Sequence, residues 1–348
     1  MPKAETALLG HTKLMNDFTT PREVILQQAL AAQMVEILPQ ELAVLGELPC
    51  DVYLYTKGIF KIAFPKTSKV NPAILNRLPP PTLCFIVQSD LPLFMEGLTN
   101  CLRLATRALS MGDPIVKGPA ALDIITRHLK YVYRYPTNDE LLRQHFLCLK
   151  NLIGFLAENH GLIKDMANAY NEQHHYYLWA QPIMSSLLLI SILKSMQLIS
   201  AKEVEDLFLT SYFKDIGMSF FPPHKFDQEK LTRQEKDLLA THPQHSLEIL
   251  NKRLSFGPAQ MRIIEFHHAY AGITAEYTNP QLDQQILGFE TMIISMMDII
   301  AAMITPRPYR SALPIYDALH LVKYLIADQY PSEFRMMVGH FHQFFKAA

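Results

Sequence analysis

The spacing of apolar and polar positions divides this chain into two unlike parts. In the first part, short apolar runs alternate with helical patterns and are bounded by Gly, Pro, Asn and Asp. Residues 1–45 read as helical, with Thr20-Pro21-Arg22-Glu23 offering a cap followed by Pro at the first helical position. Residues 51–55 and 59–64 read as strands around Thr56-Lys57-Gly58, a hairpin with Gly in its turn. Asn71-Pro72 opens a short helix that stops at the triple proline 79–81, and 83–87 is a compact apolar strand. Asp90 can cap a long amphipathic helix that runs to about Ser110 and closes at Gly112. These elements predict a small α/β domain over residues 1–112.

Beyond about residue 115 the strand signals stop, and apolar residues recur at spacings of three and four. Helices are predicted at 141–158, 184–196, 202–213, 233–251, 258–268, 288–304 and 315–327. Pro136-Thr137-Asn138-Asp139 is a start signal for a helical domain over 138–348, which leaves 113–137 as a helical linker. The expected fold class is α+β, a small N-terminal α/β domain followed by an all-α one.

Composition narrows the class. Of 348 residues, 49% are hydrophobic and only 19% charged, which suits a folded globular chain. The formal net charge of -1 supplies no bulk field for a nucleic-acid polymer or an anionic membrane, so neither is expected as a partner. Cys50, Cys84, Cys101 and Cys148 lie far apart without CxxC spacing, which argues against a zinc ribbon or disulfide framework and fits a reducing cytoplasm. No signal peptide is read at the N-terminus. The most apolar stretch, 182–199, is short and carries Lys194, Ser185, Ser186 and Ser191, so it reads as a buried helix rather than a membrane span.

Candidate chemistry lies in the helical part. Asp215, His242, the pair His267-His268 and Asp298 are metal-ligand types, imidazole nitrogens with the carboxylates that add negative charge for a divalent cation. Their order and context carry a resemblance. Lys214-Asp215-Ile216-Gly217-Met218 is similar to a His-Asp-Ile-Gly-Lys motif. Leu231-Thr232, Glu235 and Thr241-His242-Pro243 resemble a Leu-Thr, Glu and His-Pro helix. His267-His268 resembles the start of His-His-Glu, 297–303 a second Asp helix, and Thr305-Pro306-Arg307-Pro308-Tyr309-Arg310 an Asp-Arg-Pro-Tyr-Arg/Lys turn. Over about residues 175–325 the chain thus resembles the HD-GYP family, metal-dependent phosphodiesterases of the HD superfamily that hydrolyse cyclic di-GMP. Residues 51–54 and the strand entering Ser89-Asp90 more weakly resemble the small domain often found ahead of that catalytic half.

The resemblance implies two or three metal ions bridged by a hydroxide that attacks phosphorus. It also marks departures. Gln181 stands at the family's entering His, Tyr177 where a Glu ligand is common, and Lys214 at the His of the His-Asp pair. Met218 replaces the motif Lys, Ala269 replaces the Glu after the His pair, and no Gly-Tyr-Pro loop is recognisable in 270–280. An ammonium at Lys214 would repel a metal beside Asp215, so one reading has Lys214 stand in for a metal and neutralise Asp215 and Asp298. In the other, Lys214 reaches solvent and Asp215 caps a helix.

His242, His267, His268 and one Asp suffice for a single divalent ion, with iron or manganese expected from the resemblance. His174 and His175, six or seven positions before Gln181, are candidates to replace the lost ligand. Arg307 and Arg310 stand where the family grips phosphate, for which planar guanidinium forks are suited. Capping helix carbonyls or pairing with Asp317 is the structural alternative, and Tyr309 reads as core packing. The functional expectation is a non-catalytic signalling module that binds cyclic di-GMP or a protein partner. The alternatives are an active phosphodiesterase with an atypical site and a scaffold that binds no nucleotide. The polar stretch 270–286 is long enough to cover the site.

Overall fold

The computed structural model describes residues 27–56, 58–75, 77–78, 82–109, 114–196, 200–270 and 288–345. The chain divides into two compact units between Leu98 and Thr99.

The first unit carries a four-stranded antiparallel sheet of β1 (Met34–Ile37), β2 (Val52–Thr56), β3 (Ile59–Phe64) and β4 (Cys84–Val87), in the order β1-β4-β2-β3. The hairpin β2–β3 forms as expected, with Gly58 at φ 83°, a left-handed conformation that glycine adopts without strain. The expectation of continuous helix to residue 45 is corrected by β1. There Val35 and Ile37 are buried and Glu36 is exposed, a period of two that seats the segment against β4, with Val35 opposite Ile86. A one-turn helix pattern and a short strand pattern are hard to separate over four residues, and pairing decides. Short helices α1 (Pro39–Val44) and α2 (Pro72–Leu75) follow β1 and β3, and α3 (Leu91–Ala108) follows β4 after a 3₁₀ turn at Gln88–Asp90.

The second unit is helical. Its elements are α4 (Pro114–Arg134), α5 (Asp139–Glu158), α6 (Ile163–Asn171), α7 (Tyr177–Met196), α8 (Ala201–Phe213), α9 (Arg233–Leu239), α10 (His242–Leu250), α11 (Pro258–Phe266), α12 (Phe289–Ile304), α13 (Ile315–Ile326) and α14 (Pro331–Phe344). The segment 113–137, read as a linker from sequence, contains α4, which packs on α5, α6 and α7. Caps account for several starts. Asn138 accepts from the Leu141 amide, while Ser200/Glu203 and Thr232/Glu235 form capping boxes at α8 and α9.

α7 is the hub of the unit. Leu187, Leu188, Leu189, Ile190 and Leu193 are all buried, so no face of the helix is left for water. It is packed by α4, α6, α8, α12 and α14. Among the described residues no helix is long and apolar enough to cross a membrane. None of the four cysteines is in a disulfide.

The single helix expected over 233–251 is two, α9 and α10. Pro243 has no amide hydrogen and its ring would clash with the carbonyl four residues earlier, so the helix cannot run through and restarts at His242. That break frees the Leu239 carbonyl, and the site makes use of it.

Candidate metal centre

The centre lies among the ends of α8, α10 and α11, the early part of α7 and the middle of α12. Lys214 closes α8, and Asp215 leads into a 3₁₀ turn, Ile216–Phe220, laid on α10. Ser246 of α10 joins the two. Its hydroxyl donates to the Lys214 carbonyl at 2.6 Å and accepts from the Gly217 amide at 2.8 Å. A Cβ at Gly217 would lie 2.0 Å from the His242 carbonyl oxygen and 2.6 Å from the Ser246 nitrogen, both backbone, so only glycine fits the turn this close to α10. Tyr133 of α4 donates to the Asp215 carbonyl at 3.2 Å.

Three imidazoles and one carboxylate converge. His242 is the first residue of α10, His267 the C-cap of α11, and His268 follows it. His242 Nδ1 donates to the freed Leu239 carbonyl and His267 Nδ1 to the Ile264 carbonyl, each at 2.7 Å. With Nδ1 held on a carbonyl, each ring turns Nε2 inward, and both Nε2 atoms face the same point. His242 Nε2 lies 3.4 Å from His267 Nε2 and 3.2 Å from His268 Nε2. Asp215 Oδ1 lies 3.2 Å from His242 Nε2 and 3.0 Å from His267 Nε2. One donor atom from each of Asp215, His242, His267 and His268 falls within 4.8 Å of all the others, and the set is compatible with a divalent metal site. Burial, then the neighbouring His267 and His242, hold His268 well below the usual imidazole range, so it is neutral.

On the other side of Asp215 the character changes. Lys214 is fully buried, with its side chain 0% exposed. Its Nζ ion-pairs with Asp215 Oδ2 and, at 2.7 Å, with Asp298 Oδ1 on α12. Burial alone would lower the Lys214 pKa, but the two carboxylates outweigh it and raise it, so the side chain is an ammonium ion. Burial would likewise raise Asp215, yet Lys214, then His242 and His267, hold it well below the usual carboxylate range. Gln181 of α7 donates through Nε2 to Asp298 Oδ1 at 2.8 Å, and its Oε1 accepts from Arg307 Nη2 at 2.9 Å. The Arg307 guanidinium sits over the Tyr177 ring, 4.7 Å from its centroid. A polar chain therefore runs from Arg307 through Gln181, Asp298 and Lys214 to Asp215.

The structure brings four of the five expected ligands to one point and sets Asp298 across Lys214 from them. Lys214 does not reach solvent, and Asp215 makes no side-chain cap to the 3₁₀ turn, so that alternative is corrected. His174 and His175 do not replace a ligand. His175 pairs with Asp123 at 3.2 Å and stacks on Tyr170, and His174 is exposed at φ 51°. Arg310 donates from Nη1 to Met303 O at 3.2 Å and from Nη2 to Ala302 O at 2.7 Å, capping the end of α12. Tyr309 is 37% exposed rather than core. Tyr177 is buried with its hydroxyl donating to Phe226 O at 2.5 Å. Met218 sits in the 3₁₀ turn, and Ala269 donates to Phe266 O. Residues 271–287, and with them most of the expected covering stretch, lie outside the described residues.

Ser246, Tyr133 and Ser295, whose hydroxyl reaches the His267 carbonyl, also build the centre and carry no sequence motif. The faint signal is a small hydroxyl on a helix face that is otherwise apolar.

No family model and no curated protein matches the chain. In structure it is similar to Bd1817, an HDG"Y"P protein from Bdellovibrio bacteriovorus, with a TM-score of 0.61 and 14% identity over 90% of this chain and 100% of that one. The likeness shows the fold. A sheet-bearing N-terminal part precedes a helical part of HD-GYP type, and the His/Asp cluster lies in the helical part.

Proposed function

We propose that this chain is a non-hydrolytic signalling module on the HD-GYP fold, acting through cyclic di-GMP or a protein partner. The observation that carries the reading is Lys214, whose ammonium ion-pairs with both Asp215 and Asp298 from within the core. Phosphodiester hydrolysis of this type depends on metals that bind water, lower its pKa and stabilise charge on the phosphoryl oxygens. An ammonium carries charge but has no position for exchangeable water. The residues that would hold a metal ion are Asp215, His242, His267 and His268. Arg310 is committed to α12, so Nη1 of Arg307, held loosely by the Tyr309 hydroxyl at 3.4 Å, is the group left to meet a phosphate.

One observation favours a second reading, a phosphodiesterase with an atypical site: three imidazoles and a carboxylate still converge. The test is incubation of the purified protein with cyclic di-GMP and added Mn²⁺ or Fe²⁺, followed by chromatography. An unchanged substrate peak is expected. Linear dinucleotide or GMP, lost in His267→Ala, would establish the enzyme instead. Calorimetric titration then separates the two modules. Heat of binding that disappears in Arg307→Ala marks a nucleotide sensor, and no heat marks a protein-interaction domain.

A further inference from the structure

Around Asp215 the polar groups sort by what they can offer a cation. On one side His242, His267 and His268 present their Nε2 nitrogens. On the other side Lys214 and Gln181 present only N–H hydrogens to Asp298. We propose that the centre takes one divalent cation and excludes a second, because the Lys214 ammonium is a covalently tethered replacement for it. This deepens the non-hydrolytic reading and rests on it.

The first argument concerns the donor atoms. His242 and His267 spend Nδ1 on backbone carbonyls, which turns their Nε2 atoms inward, 3.4 Å apart. His268 Nε2 lies 3.2 Å from His242 Nε2, and Asp215 Oδ1 lies 3.0 Å from His267 Nε2 and 3.2 Å from His242 Nε2. A cation at that point would meet all four donors at once. A tetrahedral ion with bonds of about 2.0–2.1 Å would hold its donors roughly 3.3–3.4 Å apart, close to these four separations. Four protein donors would fill such a shell and leave no position for water, as in a structural zinc site. Imidazole nitrogen in this number also suits zinc better than the oxygen-seeking cations.

The second argument concerns the side where the ammonium sits. Asp298 Oδ1 accepts from Lys214 Nζ and from Gln181 Nε2. The Gln181 amide cannot turn its oxygen inward without losing Arg307, which has only donors to offer it. A second cation would therefore meet one ammonium and one amide N–H where it needs lone pairs. The charges agree. Asp215 and Asp298 against Lys214 leave one net negative charge, which a single divalent ion overbalances and a second could not join without strong repulsion in a buried volume.

The test is a metal count on the full chain, stripped with chelator, reloaded with excess Zn²⁺ or Mn²⁺ and desalted. One ion per chain is expected, zinc retained over manganese, with none in His267→Ala. In Gln181→His/Lys214→His, which restores imidazoles on the lysine side, two ions per chain are expected. Two ions, or none, in the native chain would overturn the proposal, and that count stands whether or not the double variant folds. A folded double variant that still holds one ion would also overturn it, since the ammonium would not then be what excludes the second. Cyclic di-GMP hydrolysis by a native chain holding one ion would sink the functional reading and leave the count intact.

Discussion

Two buried histidine groups occupy the helical unit, and they differ in what the second ring nitrogen does. In the candidate metal centre, Nδ1 of His242 and of His267 is spent on a backbone carbonyl, so their Nε2 atoms converge. The other group is a chain. Thr99 Oγ1 meets His128 Nε2 at 2.9 Å, His128 Nδ1 meets His145 Nδ1 at 3.0 Å, and His145 Nε2 meets the Tyr212 hydroxyl at 2.8 Å. There each contact can hold one shared proton, so the row is satisfied without a cation. Burial pushes His128 down to about 3, and His145 lies well below the usual range from burial and then from His128. A buried histidine is thus a ligand or a hydrogen-bond relay according to its neighbours, and residue type alone does not separate the two.

The largest expected effect breaks the metal centre. Lys214→Met leaves Asp215 and Asp298 buried and unpaired, and should cost about 3–5 kcal/mol in urea denaturation at neutral pH. A cost below about 1 kcal/mol would mean that water already reaches the pair. Next, His145→Ala breaks the relay by opening a cavity and orphaning its partners, at roughly 2–4 kcal/mol. That loss should be the same with and without chelator.

Zinc at a hundredfold excess over its Kd should stabilise the native chain by about 2.7 kcal/mol. His267→Ala should abolish the gain and His145→Ala preserve it. If both abolish it, the two groups are not independent. The smallest effect is the share of the pH dependence that one histidine of the relay carries between pH 7 and 5, about 2 kcal/mol. The relay imidazoles are neutral when folded and titrate near 6.5 when unfolded, so the unfolded chain binds protons first as pH falls. Stability is therefore full above about pH 6.5 and is lost toward about 3, by about 1.4 kcal/mol per pH unit for each such proton. Chemical denaturation from pH 7 to 5 should show a shallower slope in His128→Gln.

Much of this was legible along the chain. Asp-Ile-Gly at 215–217, His-Pro at 242–243 and the pair at 267–268 mark the cluster because each combines a ligand with the local backbone that presents it. Pro243 breaks the helix, the break frees Leu239 O, and that carbonyl orients the His242 ring. The strand at 34–37 was not legible, because Val35 and Ile37 on a short run fit helix and strand alike until β4 lies beside them. Arg310 was ambiguous for a similar reason. A guanidinium suits a phosphate and a helix end equally, and only the position of the α12 carbonyls separates the two.

The order of residues by itself determined the helical second part, the ligand types and the resemblance in which Lys214 and Gln181 stand where imidazoles are expected. Tertiary structure alone decided the rest: that Asp215 faces the histidines with one oxygen and Lys214 with the other, that Asp298 lies beyond the ammonium, and that Gln181 is turned by Arg307 to show nitrogen inward. The physical reason is range. Motif and periodicity report on neighbours within a few positions, whereas the charge balance here joins residues 84 and 117 positions apart, and such pairs meet only when the core packs.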